Sequence, residues 1–283
     1  MKFDNYIQQN GLLSPEGVEA FRQHIYAYYA EYGRVFSWRQ TTNPYHIVVS
    51  EIMLQQTQTD RVKDKFIQFI THFPTFEALA QASTRDVITL WQGLGYSRRA
   101  LALLKIAQAV TKDYNSTLPA NPEILLDMPG IGPATAGSIC AFAFNMPTVF
   151  IETNIRSVFI HLFFSQRAEI NDKELFPLVE QALDKLNPRV WYYALTDYGV
   201  MIKKQFKNPN IKSSHYAKQS KFEGSERQIR GMILRILTSH QVPIDFEFLC
   251  ASIDRPIERI EKNLGDLCCE GFVSKIGNYY CIL

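Results

Sequence analysis

The stretch DMPGIGPATAG, residues 127–137, constrains the fold most. It joins two helical segments through Pro129, Gly130, Ile131 and Gly132. Two glycines two apart let the backbone turn tightly, and they leave the amide hydrogens of the next helix's first turn unobstructed. Thr135, Ala136 and Gly137 follow at positions suited to close packing. A helix, a glycine hairpin and a second helix can hold an anionic backbone without a charged side chain and without base preference. Many helical hairpins carry glycine with no ligand, so the pattern gains weight only from its neighbours.

Those neighbours predict an all-α chain with a small α+β end. SPEGVEAFRQHIYAYYAEYG opens with Ser14 as a cap and Pro15 at the first helical position. NPYHIVVSEIMLQQTQTDRVKDKFIQFITHFP is helix-rich and ends at Pro74; TFEALAQAS, TRDVITLWQGLG, SRRALALLKIAQAVTKDY and NPEILLDMPG are shorter helices. PTVFI reads as a strand-like run that stops at Glu152, and TNIRSVFIHLFF is then a helix with Ile155, Val158, Phe159 and Leu162 on one face. Residues 203–223 lack apolar periodicity and read as a linker or an ordered surface loop. From Ser225 a second unit begins, with Ser225 and Gln228 in a capping-box pattern, three helices, the last closed by Gly271, and a hairpin FVSKI-GN-YYCIL. Three helices and a hairpin in so short a stretch fit a winged helix or a small α+β cap. The domains are therefore drawn as 1–202, 203–223 and 224–283.

Composition narrows the class. The chain is 46% apolar and 20% charged, ordinary for a soluble globular protein. No apolar run reaches the ~18 residues of a membrane span and no signal peptide opens the chain, which predicts no membrane partner and a cytoplasmic location, at the nucleoid in a bacterium. The five cysteines have no metal-ligand spacing and read as reduced packing residues. Net charge is only +2, but eight Lys/Arg between Lys203 and Arg230 face two acids, Glu223 and Glu226. That cluster, with Lys203 and Lys204 at its head, is either a solvated surface or a phosphate-binding one.

Three further constellations carry chemistry. Glu51 sits among Val48, Val49, Ile52, Met53 and Leu54, surroundings that disfavour its charged form and suit a general acid. The plainer reading pairs it with a buried arginine. Gln55, Gln56 and Gln58 follow, and amides beside a carboxylate suit reading the edge of a base. In WQGLGYSRRA, Gly93 and Gly95 leave Tyr96 on an exposed turn with Arg98 and Arg99 behind it. That suits wedging into a base stack while phosphates are held, or a tyrosine packed on a helix. Glu152, last, is either a helix cap worth ~0.5–2 kcal/mol or a charge aimed at a ligand.

NPYHIVVSEIMLQQTQTDRV, LWQGLGYSRRA, MPGIGPATAG and IETNIRSV, in this order and spacing, resemble the helix-hairpin-helix (HhH-GPD) DNA glycosylases, above all the MutY-type adenine DNA glycosylases. The resemblance covers about residues 25–205. It implies an all-helical, two-lobed HhH-GPD domain and a monomer that flips a mispaired or damaged base out of double-stranded DNA and cuts its N-glycosidic bond. By it Glu51 is the acid that protonates adenine, Gln56 and Tyr96 enter the base stack with Gln55 beside them, and Gly130, Gly132 and Thr135 hold the backbone. Asn154 is an active-site asparagine. Glu152 stands where the family has an aspartate that stabilises the cationic sugar. Its charge is kept on a chain one methylene longer.

Other departures shape the expectation. The lyase branch has a lysine where this chain has Ala134, which predicts no strand cleavage by a Schiff base. Relatives place four cysteines of an iron–sulfur cluster after a helix like ALTDYGVMI; here Lys203 stands there and no cysteine occurs between Cys140 and Cys250, which predicts no cluster. No cofactor is expected beyond room for a monovalent cation at the hairpin. The segment 224–283 does not resemble the domain that senses 8-oxoguanine. The reading is a monofunctional base-excision glycosylase, adenine from a mismatch first and thymine or uracil opposite guanine next; the competing class is a non-catalytic reader of distorted DNA.

Overall fold

The structure, a computed structural model, describes residues 3–283. Among them eleven helices come first: α1 (Pro15–Tyr32), α2 (Pro44–Leu54), α3 (Thr59–His72), α4 (Phe76–Ala80), α5 (Thr84–Trp91), α6 (Arg98–Asp113), α7 (Pro122–Leu126), α8 (Pro133–Phe144), α9 (Thr153–Phe163), α10 (Asp172–Ala182) and α11 (Pro188–Gln205). Then come α12 (Glu226–Ser239), β1 (Ile244–Asp245), α13 (Phe246–Ser252), α14 (Ile257–Cys269), β2 (Val273–Ile276) and β3 (Tyr279–Ile282). No described helix is long and apolar enough to cross a membrane.

Local chemistry sets most boundaries. Ser14 accepts from the Gly17 N–H with Pro15 at the first helical position, and Thr75 and Ser83 cap α4 and α5 likewise. The stretch 43–74 holds two helices, because the chain turns between Gln55 and Gln58 with Gln56 at a φ of +53°. PTVFI joins no sheet. It runs extended along α8, with Thr148 Oγ1 donating to the Gly137 carbonyl at 2.8 Å and Tyr192 Oη donating to the Thr148 carbonyl at 2.8 Å. Gly137 makes that approach possible, since a methyl there would stand 2.8 Å from Phe150 Cβ. Apolar content mimicked a strand; instead the Thr148 carbonyl is served by Tyr192, its N–H by the Met146 carbonyl, and its side chain ties the run to α8.

The chain forms two compact units, each from three segments. One comprises Met1–Ile47, Ala120–Leu126 and Ile131–Lys218. Its core centres on α1, α9 and α11, where Phe21 meets Phe159, Phe163 and Trp191 edge-on at 5.1–5.6 Å. Asp197 of α11 is buried with Arg39 donating twice (2.8 and 2.9 Å) and Arg34 through its backbone N–H (2.7 Å) and Nε (2.8 Å). Burial alone would raise the Asp197 pKa, but the hydrogen bonds and charge of Arg39, with those of Arg34, hold it below its ordinary value.

Residues 203–223 begin inside α11, which runs to Gln205. The segment is only partly a surface loop. Pro209–Lys212 forms a 3-10 turn whose Asn210, 3% exposed, donates to Ser157 Oγ (2.6 Å) and the Thr153 carbonyl (3.1 Å). Nothing in its composition foretold that docking.

The other unit comprises Val48–Pro119, Asp127–Gly130 and Gln219–Leu283. Its C-terminal part has the helix and strand order of a winged helix, with sheet order β1-β3-β2, all antiparallel, and a two-residue turn at Gly277 and Asn278. The strand β1 is too short to leave a period in the sequence. Ser225 accepts from the Gln228 N–H, but the Gln228 side chain turns to the Gly224 N–H at 2.7 Å, so the capping box is only half formed. Cys269 is exposed rather than packed. Arg85 of α5 caps the end of α12, donating to the carbonyls of Leu237, Thr238 and His240 at 2.8–3.1 Å. Gln92 adds a 2.6 Å bond to Thr238 Oγ1. These bonds tie the C-terminal helices to α5 within one unit.

Candidate functional site

In the first unit the site residues gather at the start of α9. Glu152 is its N-cap, with Oε1 accepting from the Ile155 N–H at 3.0 Å. Oε2 accepts from Asn154 Nδ2, also at 3.0 Å. The carboxylate is thus a cap and is also fixed in place by its neighbour. Asn154 Oδ1 is buried without a partner, an acceptor whose desolvation nothing in the protein offsets. Gly199 of α11 backs this turn, for a methyl there would lie 2.3 Å from the Asn154 carbonyl oxygen. Lys203 follows one turn later on the same face of α11. Burial pushes its ammonium below the ordinary pKa, the Glu152 charge pulls it up, and the Arg34 charge pushes it down. Lys203 is therefore half-buried in the field of Glu152, whereas Lys204 is exposed at the end of α11.

The hairpin's second glycine opens α8 as its N-cap, at φ −99° and ψ 177° with no side-chain cap. A methyl at Gly132 would meet nothing within 4 Å. Neither conformation nor internal packing demands glycine there. Thr135 lies in the first turn, half-buried, and its carbonyl accepts from Ser138 Oγ.

In the second unit Glu51 lies on α2, half-exposed, beside the buried Ser50, Ile52 and Met53. The residue that organises this region is one the sequence placed behind Tyr96 as a phosphate contact. Arg99, buried in α6, donates to the carbonyls of Ile52 (2.9 Å), Met53 (2.8 Å) and Gln55 (2.5 Å), capping the end of α2. It also reaches Thr57 Oγ1 and the carbonyl of Gly95. Burial pulls its pKa down to about 10. The only sequence signal was an arginine pair at a helix start, of which one had to face inward.

The two turns that Arg99 ties together carry Gln56 (φ +53°) and Tyr96 (φ +49°). Left-handed backbone costs such residues ~1–2 kcal/mol, so both are held against local preference. Gln55 Nε2 donates to the carbonyl of Gly130 at 3.0 Å. Gly130 has φ +77°, and a methyl there would lie 2.9 Å from Ala102 Cβ. Tyr96 Oη accepts from Arg227 of α12 at 2.6 Å and from Gln219, and the Arg227 guanidinium lies 5.1 Å above its ring. Arg98 is not a free cation: with Arg230 it binds Glu270, at 2.6 and 2.9 Å from Arg98.

Comparison with known proteins matches residues 49–185 to the family described as HhH-GPD superfamily base excision DNA repair protein. The adenine DNA glycosylase of Buchnera aphidicola subsp. Baizongia pistaciae is 33% identical over 64% of this chain and 52% of its own. That of Mycolicibacterium smegmatis is 27% identical over 78% and 81%. The chain spans about half the length of the first curated relatives it matches. Among solved structures, a thermostable thymine-DNA glycosylase is 25% identical with a TM-score of 0.60, over 69% of this chain and 91% of its own.

Proposed function

We propose that the chain, which belongs to the HhH-GPD superfamily of base excision DNA repair proteins, is a monofunctional DNA N-glycosylase that takes adenine from a mismatch. In this reading Glu51 gives a proton to the departing base and Glu152 stabilises the positive sugar that forms as the bond breaks. Water then completes hydrolysis. Gln55, Gln56, Tyr96, Arg98 and Lys204 act on the duplex, and the amides after Gly130 and Gly132 hold phosphate oxygens. Lys203 acts through Glu152, whose negative charge it partly offsets.

The observation that carries the reading is the turn at α9. A carboxylate there is fixed by two donors, next to an asparagine whose buried Oδ1 awaits a partner. A helix cap alone needs neither the second bond nor an orphaned acceptor. Adenine is supported by the names of the curated relatives, and thymine opposite guanine is the second reading, favoured by the likeness to the thymine-DNA glycosylase.

The reading includes no iron–sulfur cluster. Lys203 and Lys204 lie in the last turn of α11, Cys140 is buried in α8, and the other four cysteines lie beyond residue 249. Among the described residues no three His, Cys, Asp or Glu converge as ligands. The residues present do not fit a cluster. Ala134 likewise supports hydrolysis without strand cleavage.

The test is single-turnover base release from duplexes with adenine opposite guanine or 8-oxoguanine, thymine or uracil opposite guanine, and normal pairs. Release of adenine, with strands intact until alkali and activity lost in Glu51→Gln and Glu152→Gln, is expected. No release from any duplex, with tight binding to some, overturns it in favour of a non-catalytic reader.

A further inference from the structure

Within the first unit, the 3-10 turn Pro209–Lys212 and its flanks form a strap along α9. The Phe206 and His161 ring centres lie 4.6 Å apart, and Lys212 Nζ donates to the Ser165 carbonyl, just past α9, at 2.6 Å. The Ile170 N–H donates to the Lys212 carbonyl at 2.9 Å. These contacts secure the far end. At the near end stands the buried amide of Asn210. Its Nδ2 reaches Ser157 Oγ at 2.6 Å, the Thr153 carbonyl at 3.1 Å and, within the strap, Asn208 Oδ1 at 3.1 Å. Ser157 Oγ donates to the same Thr153 carbonyl at 2.8 Å. Asn210 Oδ1 is buried with no partner among the described residues. An amide held with its acceptor unsatisfied is a poor clasp for stability alone.

What Asn210 grips is the peptide unit that leads into Asn154. The Thr153 carbonyl and the Asn154 N–H share one plane, so a bond to that oxygen helps fix the direction in which the Asn154 side chain leaves the backbone. Beyond Asn154, Gly199 lies so close that a methyl there would stand 2.3 Å from the Asn154 carbonyl oxygen. Both peptide units around Asn154 are therefore held, and Asn154 in turn holds Glu152 Oε2 at 3.0 Å. A glutamate has one more free torsion than an aspartate, so its carboxylate needs this restraint from outside.

We propose that Asn210 is a positioning residue for Glu152, acting through the Thr153 carbonyl and Asn154. The proposal rests on the reading above, in which Glu152 stabilises a cationic sugar. That role demands a charge held within about 0.5 Å of its productive place, and an error of ~1 Å can cost ~10²-fold. A segment that composition marks only as basic and irregular thereby joins the chemistry at α9.

The experiment is equilibrium binding of the full chain, by fluorescence anisotropy, to two duplexes of one sequence. One carries a pyrrolidine analogue of the sugar, whose protonated ring nitrogen mimics the cation. The other carries the neutral tetrahydrofuran analogue. Their phosphates are identical, so the ratio of affinities isolates the charge at the sugar. Wild type is expected to favour the pyrrolidine duplex by at least about tenfold, and Glu152→Gln to abolish that preference. Asn210→Ala should cut it at least about threefold. Asn210→Asp, which keeps the volume and loses the donor, should do the same. Adding Asn210→Ala to Glu152→Gln should cost nothing more. Lys212→Met loosens the far end of the strap and should leave the ratio within about twofold of wild type. A preference lost in Glu152→Gln but intact in both Asn210 variants overturns the proposal and spares the role of Glu152. So does an equal fall in Asn210→Ala and Lys212→Met, which makes the strap packing only. No preference in wild type removes the charge role of Glu152 and the proposal with it.

Discussion

Asn154 donates a 3.0 Å hydrogen bond to Glu152 Oε2, while the Ile155 N–H donates to Oε1. Cap and charge can therefore be separated. Glu152→Gln keeps an oxygen for the Ile155 N–H, and the Asn154 amide can turn its Oδ1 toward the new NH₂. Stability should shift by less than ~1 kcal/mol, while single-turnover base release falls ~10²- to 10³-fold, the usual cost of removing one aligned electrostatic group. A rate within threefold of wild type would leave Glu152 as a helix cap.

Lys203→Met tests the neighbouring charge. Lys203 is held below its ordinary pKa of 10.5 chiefly by burial. Between the lowered native value and the ordinary one, the unfolded chain binds more protons than the native chain, so stability rises with pH across that window. The cost of keeping the ammonium charged is present in full below the native pKa and is gone above 10.5. The variant should thus be more stable than wild type at neutral pH, by a margin that shrinks as pH climbs toward 10.5. Urea midpoints at a series of pH values measure it, and a margin independent of pH refutes the assignment.

The two glycines of the hairpin should respond differently. Gly130→Ala meets Ala102 and a left-handed φ, and should lose ~1–2 kcal/mol or more of stability. Gly132→Ala meets neither, and should cost at most ~1 kcal/mol, as a poorer N-cap, while weakening duplex binding severalfold. Paired melting and anisotropy curves decide. Unweakened binding in Gly132→Ala would remove the hairpin from the DNA surface.

Arg99→Met strands the carbonyls of Ile52, Met53 and Gln55. At ~1–3 kcal/mol for each buried polar group left without a partner, a loss of at least ~2 kcal/mol in denaturant unfolding is expected. Arg99→Lys should recover only part of it, because an ammonium cannot reproduce the planar fork. Full rescue by lysine would show that charge, not geometry, holds the turn.

What the sequence disclosed was local. Ser14, Ser225 and Gly271 announce helix ends because caps act within a single turn. Glu152 stood out because it stops an apolar run, Gly130 because a second glycine follows two residues later, Tyr96 because Gly93 and Gly95 punctuate its turn, and Gln56 because amides follow a carboxylate. Partnerships across long separations were silent. Arg98 and Arg99 are adjacent and chemically identical, yet one pairs with Glu270 and the other is buried against α2. Asp197 is one acid in an apolar helix until Arg34 and Arg39, from far earlier in the chain, arrive beside it. Lys203 read as a surface cation because neither its burial nor the Glu152 field has any periodicity to detect.

Each unit is woven from three stretches of chain, and the second is closed by its final stretch, Gln219–Leu283. Consider the order of synthesis. At ~5–20 residues per second, α5 leaves the ribosome well before the α12 carbonyls that Arg85 will cap. The stretch Val48–Pro119 must wait, part-built, until Gln219–Leu283 has been made. Neither unit can be cut out as one continuous stretch, and a chain stopped before α12 would leave α5 exposing a face meant for a partner. The second unit therefore cannot close before its last stretch has been synthesised.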